Sequence, residues 1–254
     1  MKKNKFNPVA KHLRTFNKAQ VMIDRKKEAK KTGSHLNNRR TMNTNLTLRD
    51  LTKQHHDSVE RSEFAELLLG GCISPSMYHV YLSAQYSNYK ALEDLVELPD
   101  SLLSIFRSEF IQKDLLELEE EYRLEELSDE QQLVSVTEYI EYLKTISSEK
   151  DGQRKLLAHV YVRHFGDLHG GQIIKKRVPG SGSMYEFNDR KELIAGVRSL
   201  LDNDMAEEAK TCFEYAEYMF SEIADKYDFE TFGLEDDEDE DDEFADDYDS
   251  NDYR

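Results

Sequence analysis

The protein contains few cysteines and no long apolar run, and each shortage excludes a class of protein. Its 254 residues include only Cys72 and Cys212, too few and too far apart for a disulfide framework or a thiolate metal site. No apolar run approaches the roughly 18 residues of a membrane-spanning helix, and the N-terminal residues lack the apolar core of a secretory signal. We therefore expect a soluble, cytoplasmic protein with no membrane contact.

Charged residues are abundant but unevenly distributed. Residues 1–42 contain 13 Lys or Arg and two acids, whereas residues 235–252 contain 13 Asp or Glu and no base. We interpret residues 1–43 as a flexible basic extension, 44–232 as one folded domain, and 233–254 as a disordered acidic tail. The extension is suited to nucleic acid or an acidic partner, and a solvated arm without a ligand fits equally well. An organellar transit peptide, which would place the protein in a stroma, is an alternative that its two acids and few serines disfavour.

Apolar periodicity and capping residues predict helices throughout the folded part. Thr47 or Asn45 can begin the first helix, Gly70 and Gly71 end it, and Ser74 followed by Pro75 begins the next. The predicted helices cover residues 47–69, 74–97, 101–127, 128–146, 151–177, 191–201 and 204–227. We expect an all-α fold.

The helix predicted over 151–177 contains three glycines where helix formers are expected. Gly166, Gly170 and Gly171 each disfavour the helix by about 1 kcal/mol relative to alanine. Gly166 and Gly170 are four residues apart and share a face, so a flat ligand could lie against the main chain there. The adjacent glycines also mark a site where the helix can kink. A ridge of small residues on which another helix packs explains the same spacing.

A second pattern lies on the first predicted helix. Arg49, Lys53, His56 and Glu60 are spaced by four, three and four residues, so they form one stripe along the helix. Two cations, an imidazole and a carboxylate are, taken alone, typical of a solvated face.

Both segments resemble the same family. From Tyr161 to Lys176 the chain reads Y-x-R-x-x-G-D-L-x-G-G-Q-x-x-K-K, which closely resembles the distal helix of the biliverdin-forming heme oxygenases. The stripe R-x-x-x-K-x-x-H-x-x-x-E resembles their proximal helix. The resemblance covers roughly residues 46–227. It implies a single-domain, all-α heme oxygenase-like bundle, with heme between the proximal helix and a kinked, glycine-rich distal helix.

The resemblance implies that His56 is the axial ligand of the heme iron and that Glu60 orients its imidazole. His55 competes for the first role because it adjoins His56. One residue is about 100° around a helix, so the two rings cannot face the same iron. We favour His56 because it completes the stripe.

The remaining site residues are also assigned through the resemblance. Asp167 would hold the water that protonates iron-bound oxygen, oriented by Arg163 and Tyr89. Gly166, Gly170 and Gly171 would leave room above the iron. The candidates for the heme propionates are Arg49, Lys53, Tyr161 and Arg198.

The implied activity is oxidative cleavage of heme to biliverdin, CO and Fe2+, with heme as both substrate and cofactor. It requires O2 and an external electron donor, which we expect to be reduced ferredoxin or another acidic protein docking on Lys175 and Lys176. A biliverdin-using reductase is a further expected partner. The alternatives are a non-catalytic heme- or tetrapyrrole-binding protein of the same fold, and an interaction protein whose basic arm carries the function.

Several positions depart from the family pattern. His169 stands where serine is common, His164 where tyrosine is common, and Ala216 near a common asparagine. Ile194 occupies the position of an expected lysine one turn before Arg198. An imidazole at position 169 would donate to bound oxygen or ligate the iron if it faced the heme, and we expect it to lie along the helix edge.

Overall fold

All regular secondary structure in residues 46–127 and 132–226, which this computed structural model describes, is helical. The all-α prediction is therefore confirmed for this part of the chain. The predicted basic extension and acidic tail lie outside the described residues and stay predictions. The helices are α1 (Leu48–Glu60), α2 (Glu63–Gly70), α3 (Pro75–Glu93), α4 (Ser108–Tyr122), α5 (Val134–Ser147), α6 (Gly152–Val162), α7 (His164–Lys175), α8 (Arg190–Arg198) and α9 (Ala206–Lys226). Short 3₁₀ turns lie at Asp100–Ile105, Ser183–Tyr185 and Asn203–Met205.

The first predicted helix is divided in two by Ser62. Thr47 begins α1 with a capping box, in which its hydroxyl accepts from the Asp50 N–H and the Asp50 carboxylate accepts from the Thr47 N–H. The Ser62 hydroxyl caps α2 by accepting a backbone N–H at 3.3 Å. A serine inside the apolar pattern thus begins a new helix, and the chain changes direction after Glu60.

The predicted helix over 101–127 is also divided, because a side chain from α3 caps its second half. The Glu93 carboxylate accepts the backbone N–H groups of Arg107 and Ser108, at 2.6 and 3.2 Å, and so defines the start of α4. The Arg107 side chain is buried and donates to the backbone carbonyls of Ser104, Ile105, Phe106 and Glu186. These carbonyls are therefore satisfied outside a helix.

The core forms around α3, which packs against α4, α5 and α9. Eleven of its 19 residues are buried, so the helix has no broad polar face. Tyr81 of α3 packs with Phe64 and Phe220, with tilted rings whose centroids lie 4.8 to 6.1 Å apart. A second core between α7, α8 and the first 3₁₀ turn contains Leu102, Ile105, Phe165, Leu168, Leu193, Ile194 and Val197.

The predicted helix over 151–177 bends at one residue. Arg163, between α6 and α7, has φ −83° and ψ −71°. Backbone hydrogen bonds continue across the bend, from the Arg163 N–H to the His159 carbonyl and from the Asp167 N–H to the Arg163 carbonyl. We expected the kink at the glycines, but it precedes Gly166 by three residues. The bend falls where the Arg163 side chain enters the core.

The last two helices lie close to their predicted bounds. α8 covers Arg190–Arg198, and α9 packs along α1 and α6. α9 is 21 residues long. Neither it nor any other helix in the described ranges is long and apolar enough to cross a membrane.

Candidate functional site

One sequence motif lies in the segment formed by α1 and α2, and the other in the segment formed by α6 and α7. These two segments contact each other at two places. At one end, Leu48 at the start of α1 packs with Ala158 and Tyr161 of α6. At the other, the Arg177 side chain beyond α7 donates to the Leu69 carbonyl of α2. The stretches of α1 and α7 that contain the motifs lie between these two contacts.

Two of the three glycines of α7 face open space. A Cβ built on Gly166 or on Gly170 would meet no described atom within 4 Å outside its own helix. Because these residues are four apart, the bare backbone forms a continuous strip along one face of the helix. A planar ligand can approach the main chain along this strip.

Gly171 has a different environment. A Cβ at Gly171 would lie 2.6 Å from Cδ1 of Tyr185, so the glycine is required by the packing of the 3₁₀ turn against α7. The expectation that all three glycines line a ligand is corrected here. The spacing of the glycines did not distinguish the two roles, because Tyr185 comes from a turn that follows the helix.

His56 and Glu60 form a pair on α1. Nδ1 of His56 lies 3.3 Å from Oε2 of Glu60, and both side chains are about half exposed, at 51% and 50%. The hydrogen bond from His56 lowers the pKa of Glu60. The imidazole also packs edge-on against the Phe213 ring of α9, with centroids 5.9 Å apart. With Nδ1 held by a carboxylate, Nε2 is the nitrogen that can bind a metal.

His55 is turned toward a different neighbour. Its Nδ1 is buried and has no hydrogen-bond partner among the described residues. Its charge affects the pKa values of Glu207 and Glu214, both on α9, so its ring faces that helix. The two adjacent histidines therefore have distinct environments, as the 100° rotation per residue requires.

Asp167 is the titratable group beside the open glycine strip. Its Oδ2 accepts a hydrogen bond of 2.5 Å from the Tyr89 hydroxyl. Burial raises the pKa of Asp167 to about 7, against the hydrogen bond from Tyr89 and the charges of Arg107 and Arg163, which lower it. A carboxyl group with this pKa exchanges a proton readily near neutral pH.

Arg163 does not donate to Asp167 in the structure. Its Nε donates to the Tyr139 hydroxyl at 2.9 Å and its Nη1 to Gln85 Oε1 at 3.0 Å. The Tyr139 hydroxyl also bonds to Nδ1 of His159. Arg163 thus acts on Asp167 through its charge, whereas we expected a direct hydrogen bond.

Tyr139, Gln85 and His159 were not identified from the sequence. The one signal for them is the i, i+4 spacing of His159 and Arg163 on adjoining turns, and such spacing is common on ordinary helices. Their connection depends on the packing of α3 and α5 against α6, which the sequence pattern did not specify.

The cationic candidates lie on α1 and α8. Arg49 and Lys53 are exposed on α1, and Arg198 is partly buried with its Cζ 5.9 Å from the centroid of the Phe165 ring. Burial raises the pKa of Tyr161, whereas its hydrogen bond with Thr52 and the charge of Arg49 lower it, so Arg49 lies near this hydroxyl.

The two departures near Arg198 have structural explanations. Ile194, at the position of the expected lysine, is buried in the second core. His169 packs edge-on against the Phe165 ring, with centroids 4.5 Å apart.

The chain matches the family described as heme oxygenase over residues 42–229, which is well over half of its length. The protein belongs to the heme oxygenase family. Residues 3–41 match a separate family of unknown function. The basic extension of this heme oxygenase family member is therefore a recurrent sequence element.

Named relatives support the assignment. Heme oxygenase 2 of Macaca fascicularis is 29% identical over 203 residues, which cover 69% of this chain and 64% of that protein. The chain thus spans slightly less than two thirds of that relative. The heme oxygenase of Guillardia theta is 29% identical over 224 residues, covering 73% of this chain and 88% of that protein. The solved structure of the heme oxygenase from Leptospira interrogans has a TM-score of 0.58 and 28% identity, covering 69% of this chain and 97% of that one.

The contrast between the glycines predicts opposite effects of the same substitution. We expect Gly166→Ala to stabilise the ligand-free protein by up to about 1 kcal/mol, because alanine is the better helix former and its Cβ meets open space. Gly171→Ala should destabilise it by about 1–3 kcal/mol, because the Cβ overlaps Tyr185. Urea denaturation of both variants measures the difference. Equal effects at the two positions would contradict this description of the helix face.

The raised pKa of Asp167 predicts a pH-dependent effect of Asp167→Asn. Between about pH 4 and 7 the unfolded wild type ionises this carboxyl while the folded state keeps it protonated, so wild-type stability falls across that window. The free energy of unfolding of the variant, relative to wild type, should therefore rise by up to a few kcal/mol from pH 4 to 7 and then level off. The size of the rise follows from about 1.4 kcal/mol for each unit of pKa difference between the folded and unfolded states. Denaturation at a series of pH values tests this. Parallel stability curves would show that Asp167 has an ordinary pKa.

Proposed function

We propose that this protein is a heme oxygenase enzyme that cleaves heme with O2 and reducing equivalents to biliverdin, CO and Fe2+. The observation that carries the proposal is the open backbone strip at Gly166 and Gly170, in a chain that belongs to this family and carries a half-exposed imidazole at His56. A flat macrocycle fits a strip without side chains. A histidine whose Nδ1 is paired with a carboxylate is suited to bind a heme iron at the axial position.

Heme bound between α1 and α7 would be held by groups of three kinds. His56 would ligate the iron through Nε2, with Glu60 fixing the ring. Arg49, Lys53, Tyr161 and Arg198 would meet the propionates, with the Arg49 charge acting on the Tyr161 hydroxyl and Arg198 beside the Phe165 ring. Gly166 and Gly170 would contact the opposite macrocycle face. Bound heme supplies the iron that binds O2 and the ring that is oxidised.

The protein's own contribution to the chemistry is proton supply beside the open strip. Asp167, with a pKa of about 7, can hold a proton at Oδ2 or receive one, and Tyr89 fixes the carboxyl by a hydrogen bond of 2.5 Å. The bare glycines keep other acidic side chains away from the same face. Asp167 is thus able to orient the groups that pass protons to the ligand.

The electron donor in this proposal is reduced ferredoxin or another acidic protein. Its docking face would include Lys176, which is exposed beyond α7, together with Lys175, whose ammonium pairs with the Glu186 carboxylate. Positive charges grouped on one surface accelerate association with an acidic partner, and added salt weakens this effect. A biliverdin-using reductase would take the product, and the basic extension of residues 1–43 would serve a separate acidic or nucleic-acid partner.

Incubation with hemin, reductant and O2 tests the activity. We expect the heme absorption bands to disappear as biliverdin accumulates. Stable heme bands under the same conditions would support the alternative of a non-catalytic heme-binding protein. Absence of a heme spectrum would contradict both.

The adjacent histidines provide the matched control for the ligand. His56→Ala should abolish normal ferrous heme ligation, because it removes the proposed axial nitrogen. His55→Ala should leave the spectrum unchanged, because position 55 is rotated by about 100° around α1 from His56. Loss of ferrous heme ligation in His55→Ala but not in His56→Ala would show that His55 is the axial ligand.

A further inference from the structure

A group of cations lies at the end of α7. Lys175, Lys176 and Arg177 are consecutive, and Lys176 and Arg177 are exposed. Lys175 pairs with the Glu186 carboxylate, and this hydrogen bond, together with the charges of Lys175 and Lys113, lowers the pKa of Glu186. Because its charge acts on Glu186, the exposed Lys113 of α4 lies close to the same carboxylate. We name Lys113, Lys175, Lys176 and Arg177 the basic cluster.

Two carboxylates border the basic cluster. Glu186 is one of them. Glu117 is the other, because it accepts from the Ser181 hydroxyl, and an added Cβ on the neighbouring Gly182 would lie 3.1 Å from Cγ of Lys175. The four cations outnumber these two carboxylates, so the surface keeps an excess of positive charge. Such a surface attracts a negatively charged chain, and salt screens the attraction.

The chain itself contains a strongly acidic segment. Residues 235–252, the acidic run, contain 13 Asp or Glu and no Lys or Arg. Eight residues, 227–234, separate the acidic run from Lys226, where α9 ends. At up to about 3.4 Å per residue, these eight residues span up to about 27 Å, and the 18 residues of the acidic run span a further 60 Å or so.

Contacts through α2 connect the end of α9 with the basic cluster. The Phe220 ring of α9 lies 4.8 Å from the Phe64 ring at the start of α2, and the Leu69 carbonyl near the end of α2 accepts from Arg177. At about 1.5 Å per residue, Phe220 is about 9 Å from Lys226 and Phe64 is about 8 Å from Leu69 along their helices. With the side chains added, this path from Lys226 to Arg177 is no longer than about 40 Å. Most of the acidic run is therefore within reach of the basic cluster.

The basic extension of residues 1–43 is a second cationic partner for the acidic run. Docking on the basic cluster orders one segment on a surface that the fold already provides. Pairing with the extension orders two segments, both of which are predicted to be flexible. The lower cost in conformational entropy favours the basic cluster, despite the larger charge of the extension.

We propose that the acidic run docks on the basic cluster and competes there with an acidic electron donor. The competition rests on the proposed function, because Lys175 and Lys176 belong to the face assigned to that donor, whereas the docking itself does not. A short tether holds the acidic run at a local concentration on the order of millimolar, so the run is an intramolecular inhibitor that the donor must displace. Salt weakens the contact, because charges on an exposed surface make it.

The first experiment detects the docking in the heme-free, full-length protein. Cys72 is exposed and adjoins Gly71, where an added Cβ would lie 3.4 Å from Cβ of Arg177, and Cys212 is buried. A nitroxide attached to Cys72 therefore lies beside the basic cluster without any substitution. At about 50 mM salt it should broaden the NMR amide signals of residues 235–252, and at about 0.5 M salt, where the Debye length is about 4 Å, the broadening should disappear. Sharp signals at low salt would overturn the docking, whether the acidic run is unbound or paired with residues 1–43.

Two charge reversals localise the contact. Lys176→Glu and Lys144→Glu change the net charge equally, and Lys144 is exposed on α5. Lys176→Glu should reduce the broadening by about threefold or more, whereas Lys144→Glu should leave it unchanged. Equal effects would show an attraction to the whole protein and contradict docking on the basic cluster. Broadening of the same size between separate spin-labelled and isotope-labelled chains would show docking between copies and overturn docking within one chain.

The second experiment measures the competition in the heme-loaded protein, with an acidic [2Fe–2S] ferredoxin as the electron donor. Changing the nine Asp and Glu of residues 235–243 to Asn and Gln should lower the KM for ferredoxin by about tenfold with kcat unchanged, because an intramolecular competitor is removed. In the Lys176→Glu background the same changes should alter KM by less than about twofold. Equal changes in both backgrounds would show general charge repulsion and overturn the competition.

The two results distinguish the docking from the proposed function. Wild-type protein that docks its acidic run but does not degrade heme would contradict the proposed function and leave the docking standing. Heme degradation with the same KM in the wild type and in the variant of residues 235–243 would overturn the competition and leave the proposed function intact.

Discussion

The architecture depends on a helix that keeps two positions on one face bare while its ends are held in place. Gly166 and Gly170 together disfavour α7 by about 2 kcal/mol relative to alanine, and they make no compensating side-chain contact. The helix forms because Phe165 and Leu168 on its other face are buried in the second core, and Gly171 packs on Tyr185. One face of α7 therefore supplies the stability, and the other supplies the space.

The same helix carries polar groups whose hydrogen-bond partners lie on other helices. His164 and Asp167 each have a partner on α3, and Arg163 at the bend has partners on α3 and α5. Because unpaired buried polar groups are costly, these pairings restrict how α7 can sit on the bundle. The strip at Gly166 and Gly170 is thereby held in register with the Asp167 carboxyl group. The proposed function of this region depends on the geometry of α7 against α3.

The sequence predicted the features that local rules control. The caps at Thr47 and Ser74 and the stop at Gly71 follow from short-range chemistry, and the structure shows each of them. The division at Ser108 was missed because its cap, Glu93, lies 15 residues away on another helix. Likewise, the separate role of Gly171 depends on Tyr185, and the partners of Arg163 are 24 and 78 residues distant. Spacing identifies which residues share a face, but only the packing of helices determines what that face meets.

The central claim is that a planar iron porphyrin lies between His56 and the bare backbone at Gly166 and Gly170. An experimental structure of the protein crystallised with heme tests it most directly. The account predicts an iron–nitrogen bond to Nε2 of His56 and the opposite macrocycle face against the Cα atoms of the two glycines. Iron ligated by His55 or His169, or heme bound outside this cleft, would contradict it.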